Sequence, residues 1–387
     1  MRVLFVAHSF PRAPGDAAGS FLLRLARALR DHDVAVTAVV PHAPGLTLDE
    51  ELDGVRVVRY RYAPARRETL AYTGTMAEQV AAGVGGKLAL AGLLAAGAHA
   101  TGAVARRWGA DVVHAHWWFP GGVSAAAARL LGRPLVTTAH GSDVRLLGAL
   151  PGGRAILRAV ARRSARMTAV SRWLAAQLSA AAPGLDVAVA PMPADADRFR
   201  PHGDPARARL LFVGRLNAQK GLAHLLRAMA ATTSRIPLDV VADGPDRDAL
   251  QALAGSLGLA SRVAWLGARA PGELADLYRH AAAVVMPSTG EGLGLVAVEA
   301  QLSGTPVIAF ASGGLVDVVR DGETGVLVPP SEPMALAAAI DRVVTDRAYA
   351  GALAAAARPA ALRAFAPAAA AASYASIYRE ARATRRA

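Results

Sequence analysis

The chain has 387 residues, 53% hydrophobic and 19% charged, enough apolar side chain for two cores and too little charge for a disordered or coiled-coil protein. It has no cysteine, which excludes a disulfide framework, a thiolate metal site and a cysteine nucleophile, and which fits a reducing cytoplasm. The net charge of +13 attracts nucleic acid, anionic lipid or acidic small molecules, yet of 43 basic residues only Lys87 and Lys220 are lysine, so much of the charge reads as the arginine bias of an Ala-rich composition.

The opening run Arg2-Val-Leu-Phe-Val-Ala7 has strand length. Without a basic lead-in, a long apolar stretch or a small-residue cleavage site, it reads as a first strand and not as a leader. A loop over residues 10–20, with Asp16 and Gly19, leads into an amphipathic helix over 21–30. Strand-length runs follow at 34–40, 55–60, 111–114, 134–138 and 167–170. Most are apolar throughout, as parallel strands covered on both faces require. Residues 88–105 are apolar enough to raise the question of a membrane span, but Ala and Gly gain little from lipid, and a buried helix is expected.

Two loops in this half carry chemistry. Val113-His-Ala-His-Trp-Trp-Phe-Pro120 offers His116, Trp117 and Trp118 either as a surface on which a ligand ring stacks or as a strand end with satisfied histidines and core aromatics. No third ligand stands beside His114 and His116, so a metal is disfavoured. In Thr138-Ala-His-Gly-Ser-Asp143, His140 is suited to hydrogen-bond a substrate and stabilise developing charge, or else is a satisfied loop histidine. Asp143 would orient it or cap the next helix. Arg154, Arg158, Arg162 and Arg166 recur every four residues and predict one helical stripe, either a solvated face or a peripheral contact with anionic membrane at its inner face.

Residues 191–205 carry four prolines and read as a linker between a domain over 1–190 and one over 206–365. The segment 366–387 is expected to be helical and to pack back on the first domain. After the linker the opening recurs as Arg209-Leu-Leu-Phe-Val-Gly214, with a helix over 221–230. Strands follow at 238–242, 262–266, 283–286, 306–310 and 325–328. Strand, loop and helix opening both halves predicts two doubly wound α/β domains. Neither opening carries a G-x-G-x-x-G fingerprint or a P-loop, which argues against nicotinamide, flavin and P-loop nucleotide enzymes.

The densest chemistry lies in Met286-Pro-Ser-Thr-Gly-Glu-Gly-Leu-Gly-Leu-Val-Ala-Val-Glu-Ala300. A strand end, a Gly-rich loop and a helix start bind phosphate oxygens through backbone N–H groups. Glu291 and Glu299, acceptors when ionised, suit ribose and sugar hydroxyls. The bland alternative is an acidic helix N-terminus stabilised by its dipole. In Gly214-Arg-Leu-Asn-Ala-Gln-Lys-Gly221, Arg215 can grip an oxyanion with two donors and Lys220 can act as a point charge.

These residues resemble the signature of the retaining glycosyltransferases of family four. Ala242-Asp-Gly-Pro245, Val263-Ala-Trp-Leu-Gly267, Pro287-Ser288, Gly304-Thr-Pro-Val307 and Asp321-Gly-Glu-Thr-Gly-Val-Leu-Val328 also fall where that family has similar runs. The resemblance covers most of the chain and implies the GT-B fold, two Rossmann-like domains facing a cleft. It implies that Arg215 and Lys220 hold a diphosphate, Glu299 the donor ribose and Glu291 the sugar hydroxyls. Gly292, Leu293, Gly294 and Leu295 would meet the donor through their backbone. His140, Glu291, Arg215 and Lys220 would carry the catalysis. Where the family has adjacent glycines against the donor phosphate, this chain has Ala18-Gly19. Asp16, His116, Trp117, Trp118 and Asp143 are placed on the acceptor side.

The resemblance further implies no metal and no cofactor, the two cations standing in for an ion. The pairs Asp31/Asp33 and Asp195/Asp197 read as loop and linker. The expected reaction moves a hexose-type sugar from a UDP- or GDP-sugar to the hydroxyl of a carbohydrate, lipid or small molecule. A nucleotide-sugar epimerase, a phosphorylase and a non-catalytic nucleotide-sugar-binding protein are the alternatives. No nucleic-acid motif is present.

Overall fold

A computed structural model describes residues 1–73, 76–203 and 207–383. Residues 204–205 of the expected linker, residue 206 of the expected second domain and residues 384–387 of the expected C-terminal helix lie outside the described residues. The chain divides into two compact units. One runs from Met1 to Pro193 and takes up the chain again from Pro367; the other is Ala194–Ala366.

Among the described residues the first unit is built on eight strands: β1 (Arg2–Val6), β2 (Ala35–Pro41), β3 (Asp49–Leu52), β4 (Val55–Tyr60), β5 (Val112–His116), β6 (Leu135–Ala139), β7 (Arg166–Ala169) and β8 (Val187–Val189). They are ordered β3-β4-β2-β1-β5-β6-β7-β8, parallel except for the β3–β4 hairpin. The second unit has β9 (Arg209–Arg215), β10 (Leu238–Asp243), β11 (Val263–Trp265), β12 (Ala281–Met286), β13 (Val307–Phe310) and β14 (Val326–Val328). Their order is β11-β10-β9-β12-β13-β14, all parallel.

Each sheet therefore winds outward from its first strand in one direction, then returns to that strand's other side. The reversal falls between β1 and β5 in one sheet and between β9 and β12 in the other. At such a reversal the loops leaving the two central strands diverge to opposite faces and open a crevice at their carboxyl ends. The fold thus nominates the loops after β1, β5, β9 and β12 before any side chain is considered.

The apolar strand runs are buried as expected. Leu4, Val6, Val39 and Val113 form one core with Leu93 and Val104 from the helix Val84–Trp108. Phe212, Val240, Val285 and Ile308 form another with Leu225, Leu226 and Ile340 from the flanking helices. Each such side chain contributes roughly 1.5–3 kcal/mol by leaving water.

Two helical expectations need correction. The helix Val84–Trp108 is long and apolar enough to cross a membrane by length and composition. It is not the buried helix expected over 88–105: Ala89, Leu93, Gly97, Thr101, Val104 and Ala105 pack inward along one face, while Val84 and Leu88 are 71% and 63% exposed. The arginine stripe is also shorter. Arg154, Arg158 and Arg162 lie exposed on the helix Gly153–Arg163, but Arg166 begins β7 and pairs with Glu380 at 3.3 Å. A change from helix to strand rotates the fourth residue out of line.

The helix Pro367–Ala383 packs in the first unit, against the helix Ser20–Ala28 and against β5 and β6. Its Tyr374 and Tyr378 are fully buried there.

Candidate functional site

In the second unit, β9 ends at Arg215 and its neighbour β12 ends at Met286. The loops that follow are tied together through main-chain groups. Gln219 accepts the Thr289 N–H through its carbonyl at 2.9 Å and donates its side-chain amide to the Gly290 carbonyl at 3.2 Å. Gly221 lies between them at φ 69°, where any side chain would collide with the Pro287 carbonyl, so the close approach depends on glycine. Asn217 caps the turn by accepting the Lys220 N–H at 3.1 Å.

This clamp sets Lys220 beside Glu291. Nζ donates to Oε1 at 2.5 Å, with the two side chains 22% and 10% exposed. Glu291 is held from behind as well: its carbonyl accepts the Gly314 N–H at 2.8 Å, and Ser312 Oγ accepts the Gly290 N–H at 3.1 Å. The chain then passes through Gly292, Leu293 and Gly294 into the helix Leu295–Leu302. Glu299 lies one turn along that helix, where its Oε2 accepts the Tyr278 hydroxyl at 2.9 Å. Arg215 stands exposed at the end of β9. All the residues read as donor-binding in this half are thus carried by the two loops at the strand reversal and by the helix that leaves one of them.

In the first unit the loop after β1 is organised by Asp16. Its carboxylate takes the Arg12 guanidinium at 2.6 and 3.2 Å and the N–H groups of Arg12 and Ala18. The hydrogen bond from Arg12 holds its pKa below the usual carboxylate range. Gly19 closes this loop at φ 67°, so near Phe10 that a Cβ would lie 2.8 Å from its Cα. Asp16 thus shapes its own loop, with its carboxylate taken up by Arg12 and by the backbone.

After β5 and β6 the rings assemble. His114 is fully buried between Tyr378, whose hydroxyl lies 2.7 Å from Nδ1, and Thr138, whose Oγ1 lies 2.7 Å from Nε2. His116 Nδ1 faces His140 Nε2 at 3.2 Å. Trp117 stacks on His140 at 4.5 Å and meets His8 edge-on at 4.3 Å. Trp117 holds φ 65°, an uncommon conformation for a bulky residue that is retained where surroundings over-determine it.

Asp143 neither orients the His140 ring nor faces outward. It is buried, and Oδ1 accepts the N–H groups of His140, Gly141 and Val144 while Oδ2 accepts that of Trp118 at 2.9 Å. It clamps the loops after β5 and β6 to each other. Trp118 and His116 are also corrected as acceptor surface, since both are fully buried. Trp117 keeps only a narrow exposed edge. A strand end with satisfied histidines and core aromatics describes most of this segment, with His140 and Trp117 at its open side.

Burial lowers every histidine of the cluster, His8 to about 4, His114 to about 3, His116 and His140 well below 6.5. All four are neutral at pH 7. Burial pushes the Asp143 carboxyl up to about 6, against the backbone N–H groups that favour its ionised form. The tautomers follow. His116 Nε2 has no hydrogen-bond partner among the described residues. A proton on Nδ1 leaves that atom an unpaired acceptor, which costs less than a buried unpaired N–H. His116 therefore donates to His140 Nε2, and His140 carries its own proton on Nδ1.

Residues not singled out from the sequence complete these arrangements. His8 directly follows the run that forms β1, a position that could have marked it. Phe21, packed on His140 at 5.3 Å, and Tyr278, Tyr374 and Tyr378 carry no local signal, because their partners lie far along the chain.

Two family profiles match the chain. One, described as Glycosyltransferase Family 4, spans residues 18–198, and one described as Glycosyl transferases group 1 spans 194–360. Among curated proteins, the D-inositol 3-phosphate glycosyltransferase of Rhodococcus opacus is 39% identical over 277 residues, 63% of this chain and 62% of that protein. D-inositol 3-phosphate glycosyltransferase 1 of Catenulispora acidiphila is 42% identical over 272 residues, 62% and 65% of the two chains. The chain thus spans less than two thirds of the length of these relatives. Sucrose-phosphate synthase from Thermosynechococcus elongatus shares the fold with a TM-score of 0.81 at 24% identity, over 99% of both chains. Anabaena Alr3699/HepE in complex with UDP-glucose shares it at 0.72 and 21% identity, over 98% of this chain and 99% of that one.

Proposed function

Because the chain belongs to glycosyltransferase family 4, with the two α/β units of the GT-B fold, we propose that it moves a hexose-type sugar from a UDP- or GDP-sugar to an acceptor hydroxyl, with retention and without a metal. The observation that carries this reading is the Lys220–Glu291 pair at the β9–β12 reversal. It sets a cation for phosphate beside an acceptor for sugar hydroxyls, at the mouth of a Gly-rich loop that opens a helix.

In this reading Arg215 and Lys220 hold the diphosphate, Glu299 the ribose and Glu291 the sugar hydroxyls. The acceptor oxygen forms its bond to the anomeric carbon on the face from which the diphosphate leaves. The carbon–oxygen bond to the diphosphate breaks, its electron pair goes to the phosphate oxygen, and that oxygen takes the acceptor's proton. Arg215 and Lys220 stabilise the charge that develops. His140, neutral, contributes as a hydrogen-bond donor through Nδ1 and not as a cation.

The relatives' names supply an acceptor to try, a phosphorylated polyol such as D-inositol 3-phosphate. Incubation with UDP- and GDP-sugars and that acceptor, reading nucleotide release and the anomeric configuration of the product, tests the proposal. Epimerised donor without nucleotide release, or binding without turnover, would overturn it.

A further inference from the structure

We propose that Tyr278 is the positioning residue that sets Glu299 to receive the donor ribose. The inference rests on the reading of Glu299 as the ribose ligand and adds the group that makes it a rigid one.

Tyr278 lies on the helix Pro271–His280 with no solvent exposure, and its hydroxyl donates to Glu299 Oε2 at 2.9 Å. Its place is fixed independently of that bond. Phe199 meets its ring edge-on at 5.5 Å, and its carbonyl accepts the Thr305 hydroxyl at 2.6 Å. Thr305 is itself tied to the helix of Glu299, since its N–H donates to the Ala300 carbonyl at 2.9 Å. The two helices are therefore latched twice, once through Thr305, which donates to a carbonyl of each, and once through the tyrosine and glutamate side chains.

The constraint runs in one direction. Tyr278 is shut in, whereas Glu299 is part-exposed on the helix that leaves the Gly-rich loop. The last torsion of a glutamate side chain is broad, so an unheld carboxylate samples many rotations. A buried phenol needs a partner, and a backbone carbonyl would have satisfied it. Here the partner is the carboxylate, and burial, with the Glu299 charge adding to it, keeps the phenol protonated and a donor. Glu299 is thus ordered before a ribose arrives, and the ordering does not have to be supplied by the ligand.

The test is calorimetric binding of UDP, GDP and their 2′-deoxy and 3′-deoxy counterparts to the full chain, wild type and Tyr278→Phe. Wild type should prefer the ribonucleotide. Tyr278→Phe should weaken ribonucleotide binding about five- to tenfold, the scale of one net hydrogen bond, and leave the deoxy forms unchanged, so the preference shrinks. Equal weakening of both forms, or a preference as large as in wild type, overturns the role of Tyr278 alone. Absence of any preference in wild type removes the ribose assignment of Glu299, and this inference with it.

Discussion

The ammonium of Lys220 lies 2.5 Å from the carboxylate of Glu291, joining the loops after two adjacent strands, β9 and β12. The pair is mostly out of water, so each partner leaves an uncompensated charge if the other is removed. On the proposed reading, the cation that an entering diphosphate meets is already held in place by this pair.

Lys220→Ala and Arg215→Ala should each cut turnover at least about a hundredfold, the loss expected when transition-state charge goes uncompensated. Nucleotide release at saturating donor measures this, with circular dichroism as the check on folding. Near-normal rates in both variants would remove the phosphate assignment.

If Arg215 and Lys220 neutralise the leaving group as proposed, activity is expected to persist in excess chelator. The measurement is turnover after extensive treatment with EDTA, then with added Mg²⁺ or Mn²⁺. Loss on chelation and recovery with the ion would contradict metal independence.

Stability should fall in acid through the histidine cluster. A histidine whose folded pKa is below its unfolded value of 6.5 takes up its proton more readily when unfolded. Its contribution is complete above pH ~6.5 and is lost as the pH falls toward about 4 for His8 and about 3 for His114. Asp143, raised to about 6, acts oppositely: its contribution is present below pH ~4 and is lost as the pH rises through 6. Four histidines outweigh one carboxyl, so the melting temperature should decline below pH ~6.5. His114→Gln should lower it at pH 7.5 and flatten the acid decline. An unaltered slope in that variant would remove His114 from the account.

Truncation after Ala366 should unfold the first unit and spare the second. It deletes Tyr378, which lies against His114, and Tyr374, whose hydroxyl donates to the Ala190 carbonyl at 2.9 Å. Buried polar groups left without partners cost about 1–3 kcal/mol each, and the covering helix goes with them. Limited proteolysis of the truncated chain should leave a resistant fragment near 194–366. A resistant first unit would contradict the prediction.

Much of the fold was legible because a parallel strand covered on both faces must be apolar throughout. The runs at 34–40, 283–286 and 306–310 became β2, β12 and β13 for that reason. The strand Asp49–Leu52 was missed: on an antiparallel edge it buries only Leu52, so Asp-Glu-Glu-Leu carries no such run. The strand Val187–Val189 was missed because three half-exposed residues make no pattern. The arrangement around the donor-side candidates was legible where the backbone fixes their surroundings, as at the glycines around Lys220 and Glu291. The acceptor side was less so. Sequence spacing says nothing of whether Asp143 turns toward a ring or toward four backbone N–H groups, and it cannot distinguish a fully enclosed tryptophan such as Trp118 from one that keeps a narrow exposed edge such as Trp117.

The first unit is closed by a helix that begins 174 residues after that unit's first stretch ends, at Pro367 following Pro193, and the second unit lies wholly between them. On the ribosome the order of completion is therefore inverted. Ala194–Ala366 can finish folding while the N-terminal segment, made earlier, still waits for Tyr374 and Tyr378 to emerge. Through that interval the faces of β5 and β6 that the last helix will cover stand open.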